Sequence, residues 1–137
     1  MEFNGVKTAL FIGDNLLVIQ RDNIPDLRYP GMWDFVGGGR EKNESPVECA
    51  QREISEELGI KIADKQFIWE KIYPSADFPG QNAVFLVAKT AESHAAEIVF
   101  GDEGQGWKLV SIDEFLVEEN AVPFLAPRLN DYLAQRA

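Results

Sequence analysis

The apolar residues of this chain fall into short runs separated by polar and glycine- or proline-bearing stretches. Val6 to Ile12 is rich in apolar and β-prone residues and predicts a strand. Gly13-Asp14-Asn15 supplies a turn, and Leu16 to Gln20 predicts the returning strand of a hairpin. Asp22 to Gly31 carries two prolines and several polar residues, which predicts a loop. Trp33 to Val36 predicts a short strand ended by Gly37-Gly38-Gly39. Further strands are predicted over Gln66 to Tyr73, Ala83 to Lys89 and Trp107 to Val110.

Between Ser45 and Gly59 the apolar spacing becomes helical. Val47, Ala50, Ile54 and Leu58 form one stripe. Ser45 can cap the helix, Pro46 suits its first position, and Glu48 completes an S-x-x-E capping box. Gly59 suits the left-handed position just past the end. A second capping pattern, Ser111 to Glu114, opens a short helix, and Ala126 to Gln135 predicts a C-terminal helix with Pro127 near its start. Strands flanking a central helix, with helices at the end, predict an α+β fold: an α/β/α sandwich around a mixed sheet. No repeat or linker divides the chain, so one domain over residues 1–137 is expected.

Composition narrows the function. Of 137 residues, 45% are hydrophobic, enough for a real core, and the net charge is −10. That balance disfavours nucleic-acid polymers and anionic membranes as partners. A small anionic ligand stays possible where a cation bridges the two negative partners. The one cysteine, Cys49, excludes an intrachain disulfide and fits a reducing, cytoplasmic setting. Met1 to Lys7 has no signal-peptide character, and no membrane span is present. Cys49 and His94 stand alone, which suits packing and surface roles rather than a zinc site.

The helix also carries Glu53, Glu56 and Glu57 at i, i+3 and i+4, three carboxylates on one face. Such a cluster by itself is more often a solvated face than a site. A hard divalent cation would turn its mutual repulsion into binding. The context favours the cation: a glycine-rich loop, Gly37-Gly38-Gly39, precedes the helix, Glu44 lies just before its cap, and Arg52 can reach Glu44 or Glu56.

These residues resemble the Nudix box, G-x(5)-E-x(7)-R-E-U-x-E-E-x-G-U with U a bulky aliphatic. The chain supplies Gly38, Glu44, Arg52-Glu53-Ile54, Glu56-Glu57 and Gly59-Ile60, so every fixed position is matched. The resemblance implies a phosphoanhydride hydrolase in which Glu53, Glu56 and Glu57, with the Gly37 carbonyl, hold Mg²⁺ or Mn²⁺. It implies Glu53 as the base that activates water. Gly38, Glu44 and Arg52 take structural roles. Outside the box, Trp33 to Gly38 is similar to the family's approach strand, with Val36 where proline is frequent. Glu103-Gly104-Gln105 and Trp107 resemble the segment that gives MutT-like members a further metal-binding or catalytic glutamate, here Glu103.

The implied substrate is a nucleoside polyphosphate, a (d)NTP first. Nucleotide sugars or ADP-ribose are the alternatives, and a non-catalytic nucleotide sensor is a third reading. Arg21 and Arg40 are candidates for phosphate. Phe35, Tyr73 and Phe78 are candidates for stacking on a base or for packing, and Asp34 for accepting a hydrogen bond from it. In MutT-like members an asparagine in the C-terminal segment recognises an oxidised purine. Here Ala126 falls at that place and Asn130 lies one turn on, which weighs against that selectivity. Homodimers are frequent among similar proteins, so a homodimer is a possible state.

Overall fold

The computed structural model describes residues 2–136. Seven strands form one mixed sheet: β1 (Gly5–Ile12), β2 (Asn15–Gln20), β3 (Trp33–Asp34), β4 (Val36–Gly39), β5 (Phe67–Pro74), β6 (Asn82–Thr90) and β7 (Gly106–Val110). Three α-helices accompany them: α1 (Pro46–Leu58), α2 (Ile112–Leu116) and α3 (Leu125–Gln135). Two 3₁₀ turns, Asp64–Gln66 and Glu92–Glu97, fall in stretches with no clear apolar period. Among the described residues no helix is long and apolar enough to cross a membrane.

β1 lies at the centre. One edge runs parallel to β6 from Val6↔Val84 to Ile12↔Thr90. The other edge is shared. β2 pairs with β1 only at Phe11↔Leu16 and Ile12↔Asn15, and β4 pairs with it from Gly5↔Gly39 to Thr8↔Val36. β2 meanwhile accepts β3 at Ile19 and Gln20. β1 and β2 therefore diverge beyond the hairpin, and the segment 33–39 fills the gap. The expected single strand Trp33–Val36 is instead two, parted at Phe35, because each half bonds to a different neighbour.

Alternation along β1 and β2 sends side chains to two layers. Leu10, Ile12, Leu17 and Ile19 meet Ile54 and Leu58 of α1. Ala9, Phe11, Leu16 and Val18 meet Phe115 of α2 and Leu125, Leu129 and Tyr132 of α3. The result is the expected α/β/α sandwich.

The anchoring of α1 follows its sequence. Ser45 accepts a hydrogen bond from the Glu48 N–H (3.1 Å), and Glu48 accepts one from the Ser45 N–H (2.9 Å). Gly59 adopts φ 67°, left-handed, where a Cβ is disfavoured, and its N–H closes on the Ser55 carbonyl. The buried face is Cys49, Ala50, Ile54 and Leu58, and Val47 is only half-buried. Burial pushes the Cys49 thiol up to about 12, so it packs as an unreactive small residue.

Candidate active site

The three glycines are not a loop, as their composition suggested. They form β4 against β1, pairing Gly5↔Gly39, Val6↔Gly38 and Lys7↔Gly37. Space explains the need for glycine. A Cβ on Gly37 would stand 2.1 Å from the Val6 carbonyl oxygen, and one on Gly38 would stand 2.6 Å from the Glu53 carboxylate. α1 thus lays its acidic face directly on the β4 backbone.

Arg52 organises this contact. Its Nε and Nη2 reach Glu44 at 2.7 and 3.1 Å, and Nη2 also donates to the Gly39 carbonyl at 2.7 Å. Nη1 reaches Glu53 at 2.9 Å and Glu56 at 3.1 Å, with Glu41 at 3.2 Å. The paired guanidinium holds the Glu44 carboxyl down at about 2. Glu44 also accepts from the Glu41 N–H (2.9 Å), so one carboxylate fixes both the turn before α1 and the arginine above it.

Glu53 and Glu57 face the groove beside β4. Burial raises the Glu53 carboxyl, and Arg52 opposes the shift. Burial raises Glu57 further, to about 8, with the Glu53 charge adding to it; Lys7 and the Gly37 N–H, which donates to Glu57 at 3.2 Å, oppose it. Two half-desolvated carboxyls facing each other in this way need a proton or a cation between them. Among the described residues no three acidic, histidine or cysteine side chains converge into a finished cage. The donor set nevertheless fits a hard cation: carboxylate oxygens from Glu53, Glu57 and the more exposed Glu56, with Glu103 and Asp102 across the groove.

Glu103 is brought there by its neighbours' backbone. The Gly101 N–H donates to the Glu57 carbonyl at 2.8 Å, which ties the segment to the end of α1. The Gly104 N–H donates to Asp22 (3.1 Å) and the Gln105 N–H to the Gln20 carbonyl (2.8 Å).

The remaining sequence candidates divide. Arg21 borders a second polar pocket, which shares Gly37, Glu57 and Glu103 with the carboxylate groove, and donates to Asp34 (3.0 Å) and to the Arg28 carbonyl (2.8 Å). Asp34 is buried and already engaged by Lys7 (2.7 Å), Arg21 and the Phe35 N–H, so it anchors cations rather than awaiting a base. Phe35 is 1% exposed and stacks on Phe115 at 4.7 Å, and it also lines the polar pocket that holds Asp34 and Glu57. Arg40 is held elsewhere. It lies over the Phe3 ring (4.4 Å) and donates to the Glu44 carbonyl, and it borders neither the groove nor the neighbouring cavity. Tyr73 packs on Phe85 and donates to Asp131, while Phe78 is 47% exposed at a cavity wall.

Lys7 and Arg128 went unnoticed in the sequence. Lys7 stands among apolar β1 residues at the parity of Ala9 and Phe11, an inward position whose charge was the available signal. It borders both the polar pocket beside Asp34 and an apolar cavity of about 430 Å³. That cavity shares Gly38 and Gly39 with the carboxylate groove and is lined also by Phe78, Phe124 and Arg128.

A family model of the NUDIX domain matches residues 4–132, and the chain belongs to the Nudix family. An uncharacterised Nudix hydrolase of Pseudomonas aeruginosa is 38% identical over 60 residues, which cover 43% of this chain and 36% of that protein. An 8-oxo-dGTP diphosphatase of Proteus vulgaris is 32% identical over 62 residues, 41% of this chain and 55% of that protein. The matched stretches thus span about a third and about half of these relatives' lengths. A MutT protein from Methanosarcina mazei shares the fold at TM-score 0.76 and 17% identity, over 98% of this chain and 96% of that one.

Proposed function

We propose that this chain hydrolyses a phosphoanhydride of a nucleoside diphosphate derivative, and specifically that it converts a (d)NTP to a nucleoside monophosphate and pyrophosphate. The carrying observation is adjacency. A carboxylate groove suited to a divalent cation shares the Gly38–Gly39 wall with an apolar cavity of a size suited to a base. Polyphosphate lies in the first and the base in the second.

Glu53, Glu56 and Glu57 hold Mg²⁺ or Mn²⁺, with the Gly37 carbonyl and Glu103 as further ligands. The cation, when bound, neutralises phosphate oxygens and eases ionisation of the attacking water. Glu53 accepts that water's proton, with Glu103 as the second candidate for the same task. Arg52 keeps Glu53 aimed across Gly38. Lys7 and Arg21, both paired with Asp34, are the two cations of a pocket that also holds Asp22, Glu57 and Glu103, and they are the side chains offered to phosphate. Water attacks phosphorus, the bond to the bridging oxygen breaks, and pyrophosphate leaves with that oxygen.

A panel of (d)NTPs, nucleotide sugars and ADP-ribose with Mg²⁺ and with Mn²⁺, with products resolved, tests the reading. Monophosphate and pyrophosphate from a triphosphate support it. Turnover confined to sugar or ribose diphosphates moves the substrate class, and binding without any turnover leaves a sensor.

A further inference from the structure

The apolar cavity contains a cation that the hydrolytic step does not use. Arg128 sits on the buried face of α3, 7% exposed, three residues after Leu125 and four before Tyr132. Its guanidinium packs against two rings, 4.6 Å from the centroid of Tyr73 and 4.5 Å from that of Phe124. Nη2 donates to the Pro74 carbonyl at 3.2 Å. Among the described residues it has no ion-pair partner. The nearby carboxylates are engaged elsewhere: Asp77 by Tyr29 and Arg28, and Asp131 by Tyr73 and Lys71.

Burial disfavours this cation, and neighbouring groups, the Asp77 charge among them, oppose the shift only in part, which leaves room for a further compensating partner. Among the described residues, the one fully buried polar side-chain atom without a partner is Thr8 Oγ1. The unbonded nitrogens of Arg128 are therefore not sealed in the core; they open on the cavity the residue borders. The rings of Tyr73 and Phe124 fix the guanidinium plane, so its fork is presented in one orientation. Asn130, the sequence candidate on this helix, is exposed and does not border the cavity.

We propose that Arg128 is the specificity-determining residue of the base subsite, pairing its fork with the adjacent acceptors O6 and N7 of guanine or hypoxanthine. This rests on the nucleotide reading of the groove. A planar pair of N–H donors matches two neighbouring acceptors in one plane. Adenine and cytosine present an amino donor where O6 would stand, which opposes an arginine donor. 8-Oxoguanine carries hydrogen on N7 and loses half the pair. Phe78 gives the base an apolar wall.

The test compares wild type with Arg128→Lys, which keeps the charge and loses the fork, and with Arg128→Met. kcat/KM is measured for dGTP, dITP, dATP and 8-oxo-dGTP, with folding checked by thermal melting. In parallel, GMP, IMP and AMP are titrated calorimetrically without metal. The wild type is expected to favour guanine and hypoxanthine over adenine by about 10- to 100-fold, with the ratio falling close to unity in Arg128→Met and falling in part in Arg128→Lys, whose ammonium still donates to O6 and N7 but lacks the planar fork. 8-Oxo-dGTP is expected to fall below dGTP. Should Arg128→Met fail to fold, Arg128→Lys carries the comparison. A wild type that does not discriminate, or a ratio unchanged in a folded Arg128→Lys, overturns the assignment. Absence of triphosphate turnover alongside a GMP preference that depends on Arg128 sinks the hydrolase reading alone. Equal GMP and AMP affinities sink the assignment of Arg128 alone.

Discussion

Replacing Gly37 and then Gly38 by alanine probes two different consequences of the same close contact. At Gly37 the new Cβ meets backbone on β1: the Val6 carbonyl oxygen at 2.1 Å and the Lys7 Cα at 2.9 Å, where ordinary contact begins at 3.4 Å. Neither atom can rotate away, so β1 and β4 must separate and the Lys7↔Gly37 pairing is lost. Overpacking of this size costs about 3 kcal/mol or more, combining steric strain with a disrupted ladder. For a chain of this length that lowers Tm by roughly 10 °C. At Gly38 the Cβ meets only the Glu53 carboxylate, at 2.6–2.7 Å, the far end of a flexible side chain. Glu53 swings aside, at a stability cost of about 1 kcal/mol or less. Displacing the base by about 1 Å is worth roughly 100-fold in turnover. Melting curves and kcat at saturating Mg²⁺ for both variants check the pair. A Gly38→Ala enzyme with wild-type kcat refutes the claim that α1 presses its acidic face onto β4, and a Gly37→Ala protein with wild-type Tm refutes the close fit of β4 on β1.

Three further outcomes are expected. Glu53→Gln removes the proposed base and lowers kcat by about 100-fold or more with little change in Tm, measured by pyrophosphate release; unchanged turnover shifts the role to Glu103. Glu103→Gln is expected to raise the Mg²⁺ concentration for half-maximal activity more than it lowers kcat at saturating metal, and a purely kcat effect would make Glu103 the base instead. Glu44, held at about 2 against 4.5 when unfolded, stabilises the fold fully above about pH 4.5 and loses that contribution as pH falls toward 2. The lowering corresponds to about 3 kcal/mol for a fully shielded group, and solvent access reduces it to about 1–2 kcal/mol. Denaturant melts of wild type and Glu44→Gln should therefore converge between those pH values, and parallel curves would show that the Arg52 pair contributes nothing.

Much of this was legible because it is local. Helix α1 matched its capping box, its left-handed Gly59 and its apolar stripe, since each is set by residues within a few positions of one another. Helical spacing placed Glu53, Glu56 and Glu57 on one face, and Arg52 reaches both partners expected of it, Glu44 and Glu56. The strand β4 was not legible: glycine composition signals a turn, and only the opposing β1 backbone and the Glu53 carboxylate explain why glycine extends a strand here. The packing of Phe35 and Arg40 was not legible for a related reason. Nothing near them in the chain says that Phe115 or Phe3 would take up their side chains. Arg128 escaped notice because a basic residue on an amphipathic helix ordinarily faces water, and its aromatic neighbour Tyr73 is 55 positions away in the sequence.

The two glycines shared by groove and cavity mark a seam between separately encoded parts. On one side lie α1 and β4, contiguous in the chain between Val36 and Leu58. On the other lie the turn around Phe78 and the helix bearing Arg128, contributed by distant stretches. On the proposed reading, substitutions beyond the seam retune which base is accepted while leaving the carboxylate helix as it is. Descendants of such a chain are free to drift in diet without relearning how to cut.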